Sequence, residues 1–197
     1  MQILRIDSAV TGANAISRKL TQAMTDHFMA TNPGATLVER DLEKDPLPHI
    51  DQVTTGAIRM PPEDHTPEMA AAYPAERAVL DEFLASDVVI IGAPMYNFTV
   101  PTQLKAWIDR LGVPRVTFAY SETGPKGLAG GRRVIIASSR GGVYETGGPA
   151  DFQEALLLGF FRFIGLEAEI VRVQGIGFGP EALEKSMAEA MSQIAAL

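Results

Sequence analysis

Apolar residues follow two periods along this chain. From Ala15 to Thr31, Ile16, Leu20, Ala23, Met24 and Phe28 return to one face at helical spacing, and Asn32-Pro33-Gly34 ends the run. Glu68–Ala85 also reads as a helix, with Pro74 as a kink. Pro101 opens a third at its first turn, with Leu104, Trp107, Ile108 and Leu111 as its stripe. Helices at Ala150–Ile164 and near Pro180–Ala195 complete the set. Between them lie short apolar runs. Val88-Val89-Ile90-Ile91 in Asp87–Ala93 and Val134-Ile135-Ile136 in Arg132–Ser138 are unbroken and β-branched, as in strands buried on both faces of a parallel sheet. Gln2–Asp7, Thr36–Arg40 and Glu167–Gln174 supply three more strands. Five strands alternating with helices predict one α/β domain over 1–197, a doubly wound five-stranded parallel sheet of order 2-1-3-4-5 with helices on both faces. The exception is 41–67, a Pro-rich excursion holding Pro46, Pro48, Pro61, Pro62 and Pro67 with weak periodicity. Such a segment is expected to be functional or a surface appendage.

Composition narrows the chemistry. The 197 residues carry 17 Lys and Arg against 24 Asp and Glu, a net charge of −7 without a basic block, which argues against nucleic acid and anionic lipid. The absence of cysteine removes disulfides, iron–sulfur clusters, thiolate zinc sites and a cysteine nucleophile. Only His27, His49 and His65 occur, without HExxH, so no metal site is expected. No apolar run reaches the roughly 18 residues of a membrane span, and no signal peptide is evident, so a soluble cytoplasmic protein is expected.

In a sheet of this order ligands bind beside the switch point between strands one and three. Three loops meet there, Ser8–Ser17, Pro94–Phe98 and Ser138–Gly142. The first runs into a helix N-terminus, where free N–H groups and the positive dipole end suit an anion, with Ser8 and Ser17 as hydroxyl donors. It is neither GxGxxG nor a P-loop. The second sets Met95, Tyr96 and Phe98 about Asn97, suited to a flat ring and its polar edge. The third, Ser139-Arg140-Gly141-Gly142, lets bare backbone approach a ligand. Each loop alone fits an ordinary turn. Together a phosphate site, an aromatic slot and a bare backbone point to a flat phosphorylated cofactor, and FMN fits. GxSxG is absent and no His lies in these loops, as suits a protein whose cofactor carries the chemistry.

PMYNFTVPTQLKAWIDR at 94–110, SSRGG at 138–142, TGPKGL at 123–128 and IDSAxxGxxxISR at 6–18 resemble the FMN-dependent NADH-azoreductase family, with similar spacing from Met1 to the final helix. The resemblance implies a flavodoxin-like fold, non-covalent FMN, a homodimer, and ping-pong reduction of quinones and aromatic azo compounds by NADH. Hydride would pass from NADH to FMN, then to a quinone or to an azo bond, giving amines. By position, Met95, Tyr96, Asn97 and Phe98 would contact the isoalloxazine, Ser139, Arg140, Gly141 and Gly142 its pyrimidine side, and Ser17 the phosphate. Tyr120 stands where the family places an aromatic near the substrate, and otherwise reads as a packing residue in a hairpin. Family members often carry serines where this chain has Ala9 and Ala15, which predicts weaker FMN retention.

The helix at 150–164 is apolar nearly all round, with Phe152, Leu156, Phe160 and Phe163 on one face and Leu157, Leu158, Phe161 and Ile164 over much of the rest. One side can face the sheet and the other a second subunit, or the chain's own 41–67 segment. Gly175, Gly177 and Gly179 form GxGxG after strand five and read as a turn. Two alternatives stay open on these residues. One is a general NADPH-dependent FMN or quinone reductase, and the other a flavodoxin-type electron carrier.

Overall fold

The computed structural model describes residues 1–197. Five strands form one parallel sheet: β1 (Gln2–Asp7), β2 (Thr36–Asp41), β3 (Val88–Pro94) and, after a hairpin of β4 (Phe118–Ser121) and β5 (Gly124–Gly127), β6 (Arg133–Ser139) and β7 (Ala168–Val173). Their order is β2-β1-β3-β6-β7, the expected 2-1-3-4-5 when only sheet strands are counted. Each pairing is parallel, with Ile3 beside Val88, Val88 beside Arg133, and Ser139 beside Val173.

The helices are α1 (Ile16–Thr31), α2 (Gln52–Arg59), α3 (Pro67–Leu84), α4 (Thr102–Ile108), α5 (Gln153–Phe163) and α6 (Pro180–Ala195). Successive strand residues point to opposite faces and enter two separate apolar clusters. Leu4, Ile6, Val89, Ile91, Val134 and Ile136 pack with Leu80 and Phe83 of α3, Trp107 of α4 and Leu157 and Phe161 of α5. Ile3, Val88, Ile90 and Ile135 pack with Leu20, Met24 and Phe28 of α1 and Ala190 and Ile194 of α6. All seven residues of β3 are buried, which explains its unbroken apolar run. Fully burying each of its valine and isoleucine side chains contributes about 1.5–3 kcal/mol.

The structure differs from the expected elements in four places. The 41–67 excursion is partly helical. Asp51 caps α2 by accepting from Thr54 N–H while Thr54 Oγ1 accepts from Asp51 N–H, and Gly56 lets α2 lie close on the Met69 side chain of α3. As expected, α3 runs through Pro74 to Leu84. Pro101 caps α4 from outside, because its extended backbone (ψ 146°) precedes the first helical residue. α5 begins at Gln153, not Ala150, because Asp151 ties the preceding turn through Gly147 N–H and Glu154 N–H. The β4–β5 hairpin stands apart from the sheet and sits on the end of α5. That helix stops at Gly165 (φ 91°), with Leu166 N–H on Phe161 C=O and Gly165 N–H on Arg162 C=O, a Schellman motif. Gly127 lies so close that a Cβ there would overlap the Gly165 backbone.

Both outer strands carry paired charges. Glu39 of β2 bonds Arg5 of β1, and Arg40 bonds Glu82 of α3 at 2.8 Å. Glu169 of β7 bonds Arg133 of β6 at 2.5 Å, and Arg172 bonds Glu154 of α5 at 2.5 Å. No helix is long and apolar enough to cross a membrane.

Candidate functional site

β1, β3 and β6 are neighbours and end together, so the topology delivers the three loops to one crevice. Direct bonds stitch them. Ser8 Oγ donates to Gly92 C=O (2.6 Å), Val10 N–H to Tyr96 Oη (3.2 Å) and Met95 N–H to Ser139 C=O (2.8 Å).

The first loop ends at α1, whose N-cap is Ala15 with no side-chain cap. The N–H groups of Ile16, Ser17 and Arg18 have no acceptor in the protein. Ser17 is buried and its Oγ has no hydrogen-bond partner. A buried hydroxyl left unbonded costs about 1–3 kcal/mol, so this orphan marks a place for an acceptor from outside. Ser8 is different, because its proton is already committed to Gly92. Arg18, next in the chain, is taken by Asp41 (2.8 Å) and approaches Asp7 (3.4 Å). Amides and one hydroxyl are thus the donors left to an anion here. Burial pushes the Asp7 carboxyl up, against the hydrogen bond from Thr21 and the charges of Arg18 and Arg5. The hydrogen bond from Arg18 holds Asp41 down at about 2.

The second loop is a tight turn. Tyr96 and Thr99 exchange backbone bonds (2.9 and 3.2 Å), and Asn97 (φ 47°) and Phe98 (φ 72°) between them are left-handed, as a type I′ turn requires. For phenylalanine this backbone is unfavourable, and the bond from Phe152 N–H to Phe98 C=O (3.1 Å) helps hold it. The Asn97 and Phe98 N–H groups remain unbonded, and the Phe98 ring is about half exposed, its neighbour Tyr144 edge-on at 6.1 Å.

In the third loop Gly141 and Gly142 accept through their carbonyls from Gly177 (2.8 Å) and Gly175 (2.9 Å), while their own N–H groups stay free. The GxGxG segment is therefore a brace for this loop as well as a turn. A Cβ on Gly141 would meet nothing within 4 Å. Ser139 is buried. Arg140 has its guanidinium in the interior, on Gln153 Oε1 (2.8 Å), Asp151 (2.7 Å) and Glu154 (2.9 Å). Burial lowers the Arg140 pKa against the charges of Glu154 and Asp151. Glu154 is held below the usual range, its burial outweighed by Arg172, Ser138 and Arg140.

The structure does not bring Tyr120 to these loops. It is 78% exposed on β4, edge-on to Phe118, in a groove with Ile108, Pro114, Phe160 and Phe163. A separate cavity of about 300 Å³ lies between the 58–63 segment, α3 and 113–116, beside the buried Arg110–Glu76 pair (2.6 Å), and none of the three loops lines it. Sequence reasoning missed the buried Gln153 beneath the loops, and its one signal was an amide opening an otherwise apolar helix.

The whole chain, residues 1–197, matches the flavodoxin-like fold family. An FMN-dependent NADH:quinone oxidoreductase of Ralstonia nicotianae is 45% identical over 191 residues, covering 95% of this chain and 92% of that one. One of the same description from Sinorhizobium fredii is 45% identical over 201 residues, covering 99% and 96%. Among solved structures, the azoreductase of Bacillus anthracis str. Sterne superposes with a TM-score of 0.89 at 29% identity, covering 100% of this chain and 97% of that one.

Proposed function

The chain belongs to the flavodoxin-like fold family and, within it, to the FMN-dependent NADH:quinone oxidoreductases, and from that premise we propose that it reduces quinones and aromatic azo compounds with NADH through FMN bound without a covalent link. The observation that carries this is the set of uncommitted donors in the crevice: the orphan Ser17 hydroxyl and the free N–H groups of residues 16–18 on one side, and those of Asn97, Phe98, Gly141 and Gly142 on the other. This donor set suits a phosphate joined to a flat ring with polar edges, which is FMN. Bound FMN supplies the two-electron redox chemistry that links NADH to the acceptor.

The protein's own work is to bind and orient. Ser17 and the α1 N-terminus hold the phosphate without a dedicated cation. Ser8 shapes the first loop through Gly92. Met95, Tyr96, Asn97 and Phe98 flank the ring, and Ser139, Arg140, Gly141 and Gly142 border its pyrimidine side, Arg140 with its own N–H committed to Val173 C=O (2.9 Å) and its guanidinium turned inside. The free amides of Asn97, Gly141 and Gly142 would offer donors to negative charge at the polar edge of the ring, as oxyanion donors do.

The sheet reads as doubly wound, supported by its two apolar clusters, one with α1 and α6 and the other with α3, α4 and α5. A homodimer is supported by α5, whose Leu156, Phe160 and Phe163 are only partly buried while α2 packs on α3 instead. Tyr120 shares that groove, so it borders a substrate only across a subunit interface. A monomer by light scattering at micromolar concentration would reject the dimer.

Anaerobic stopped-flow mixing of the FMN-loaded protein with NADH, then with a quinone or an azo dye, tests the activity. Full two-electron bleaching and rapid recovery with either acceptor are expected, faster with NADH than with NADPH. Bound FMN that NADH leaves oxidised would make the protein an electron carrier instead, and failure to bind FMN would remove the site.

A further inference from the structure

The first turn of α5 touches both ring-side loops, and one side chain does most of it. Gln153 is fully buried. Its Nε2 donates to Ala93 C=O (2.5 Å) at the end of β3, just before the second loop. Its Oε1 accepts from Arg140 Nε (2.8 Å) in the third loop. Its neighbours reinforce both ends. Phe152 N–H holds Phe98 C=O, and Asp151 holds Arg140 Nη2 at 2.7 Å.

The demands at the two ends are opposite. A carbonyl at Ala93 needs a donor, and the Arg140 N–H needs an acceptor. A carboxylate supplies only the second and an ammonium only the first, whereas an amide supplies both from one rigid plane. Asparagine lacks a methylene of the reach. An amide in this dry position is otherwise a cost, since an apolar side chain would pack there without any polar atom to satisfy.

We propose that Gln153 is a positioning residue for FMN. It sets the distance between the second and third loops, and so the spacing between the free N–H groups of Asn97 and Phe98 and those of Gly141 and Gly142. It touches no substrate and acts through the Ala93 carbonyl and the Arg140 side chain, which it joins. This rests on the reading that those loops hold FMN.

The test is Gln153→Met in the full chain, which keeps length and volume and removes both bonds, along with the longer one from Ser138 Oγ (3.4 Å). The dissociation constant for FMN is expected to rise about tenfold, the weight of one or two buried hydrogen bonds. The visible circular dichroism of bound FMN is expected to change with it, because the ring sits differently between its donors. Leu80→Ala, in the core on α3, is the control for lost stability and is expected to leave both quantities alone. If Gln153→Met does not fold, Gln153→Glu at pH 8 carries the same test, since it keeps the Arg140 partner and loses the donor to Ala93. A folded variant that binds FMN within twofold of wild type with a superimposable spectrum overturns the role of Gln153. A wild-type chain that takes up no FMN refutes instead the site on which the role rests.

Discussion

Replacing Ser17 by alanine should move stability and cofactor affinity in opposite directions. In the FMN-free chain the Ser17 hydroxyl is buried and unbonded, so its removal loses no hydrogen bond. Alanine is also the better helix former, by about 0.5 kcal/mol in a helical position. Relief of the unmet hydroxyl adds to this, less whatever water already supplies. The expected gain is about 0.5–1 kcal/mol, a rise in Tm of roughly 1–4 °C for a domain of this size. On the proposed reading the same hydroxyl would face a charged phosphate in the FMN complex, and such a bond is worth about 1.5–3 kcal/mol. Its loss should weaken FMN binding roughly 10- to 150-fold. Thermal denaturation of the apoprotein and fluorescence titration with FMN measure the two quantities separately. An apoprotein destabilised by several degrees would mean that Ser17 is a structural residue. An unchanged FMN affinity would place the phosphate elsewhere.

Other expectations follow from single contacts. Ala15→Ser gives α1 the side-chain cap it lacks, so the apoprotein should gain about 1 kcal/mol, and a hydroxyl added there or at Ala9 should tighten FMN binding; isothermal titration of both variants checks this, and unchanged affinity in each removes the argument from the missing serines. Gly127→Ala drives a methyl group into the Gly165 backbone and should cost about 3 kcal/mol or more, read by urea denaturation, with the β4–β5 hairpin losing protection from hydrogen exchange first. Asp41 is held at about 2 by Arg18, so its contribution to stability is complete above about pH 4 and is lost as pH falls toward 2. Asp7, pushed up by burial, works the other way and is relieved by protonation. Asp41→Asn should therefore flatten the acid limb of the stability profile, and an unchanged limb would discount the Arg18–Asp41 pair.

The parallel sheet was legible because β3 and β6 are buried on both faces, leaving runs such as Val88-Val89-Ile90-Ile91 that no exposed strand would carry. Those runs marked a parallel sheet, for which two strand orders are common, and five strands favoured the order 2-1-3-4-5 that brings the three loops together. α2 was hidden by its brevity and by Gly56, although the Asp51 and Thr54 spacing of a capping box was there to be read. The start of α5 was misplaced because Asp151 acts through tertiary bonds to Gly147 and Arg140, and no local period reports those. The side chains were less legible than the backbone. Arg140 in SRGG looks like a ligand-facing cation, yet Asp151 and Glu154 draw it inside. Ser8 and Ser17 look equivalent in sequence, and only the structure separates the spent hydroxyl from the free one.

The paired charges on the outer strands bear on how the protein behaves in crowded solution. β2 and β7 each leave one row of peptide groups open to any passing extended chain. To add a strand there, a newcomer would lie beside Arg40 and Glu39 on one border or Arg172 and Glu169 on the other, and those side chains are already engaged by Glu82, Arg5, Glu154 and Arg133. Charged borders of this kind discourage edge-to-edge strand pairing and the runaway fibrils that begin with it.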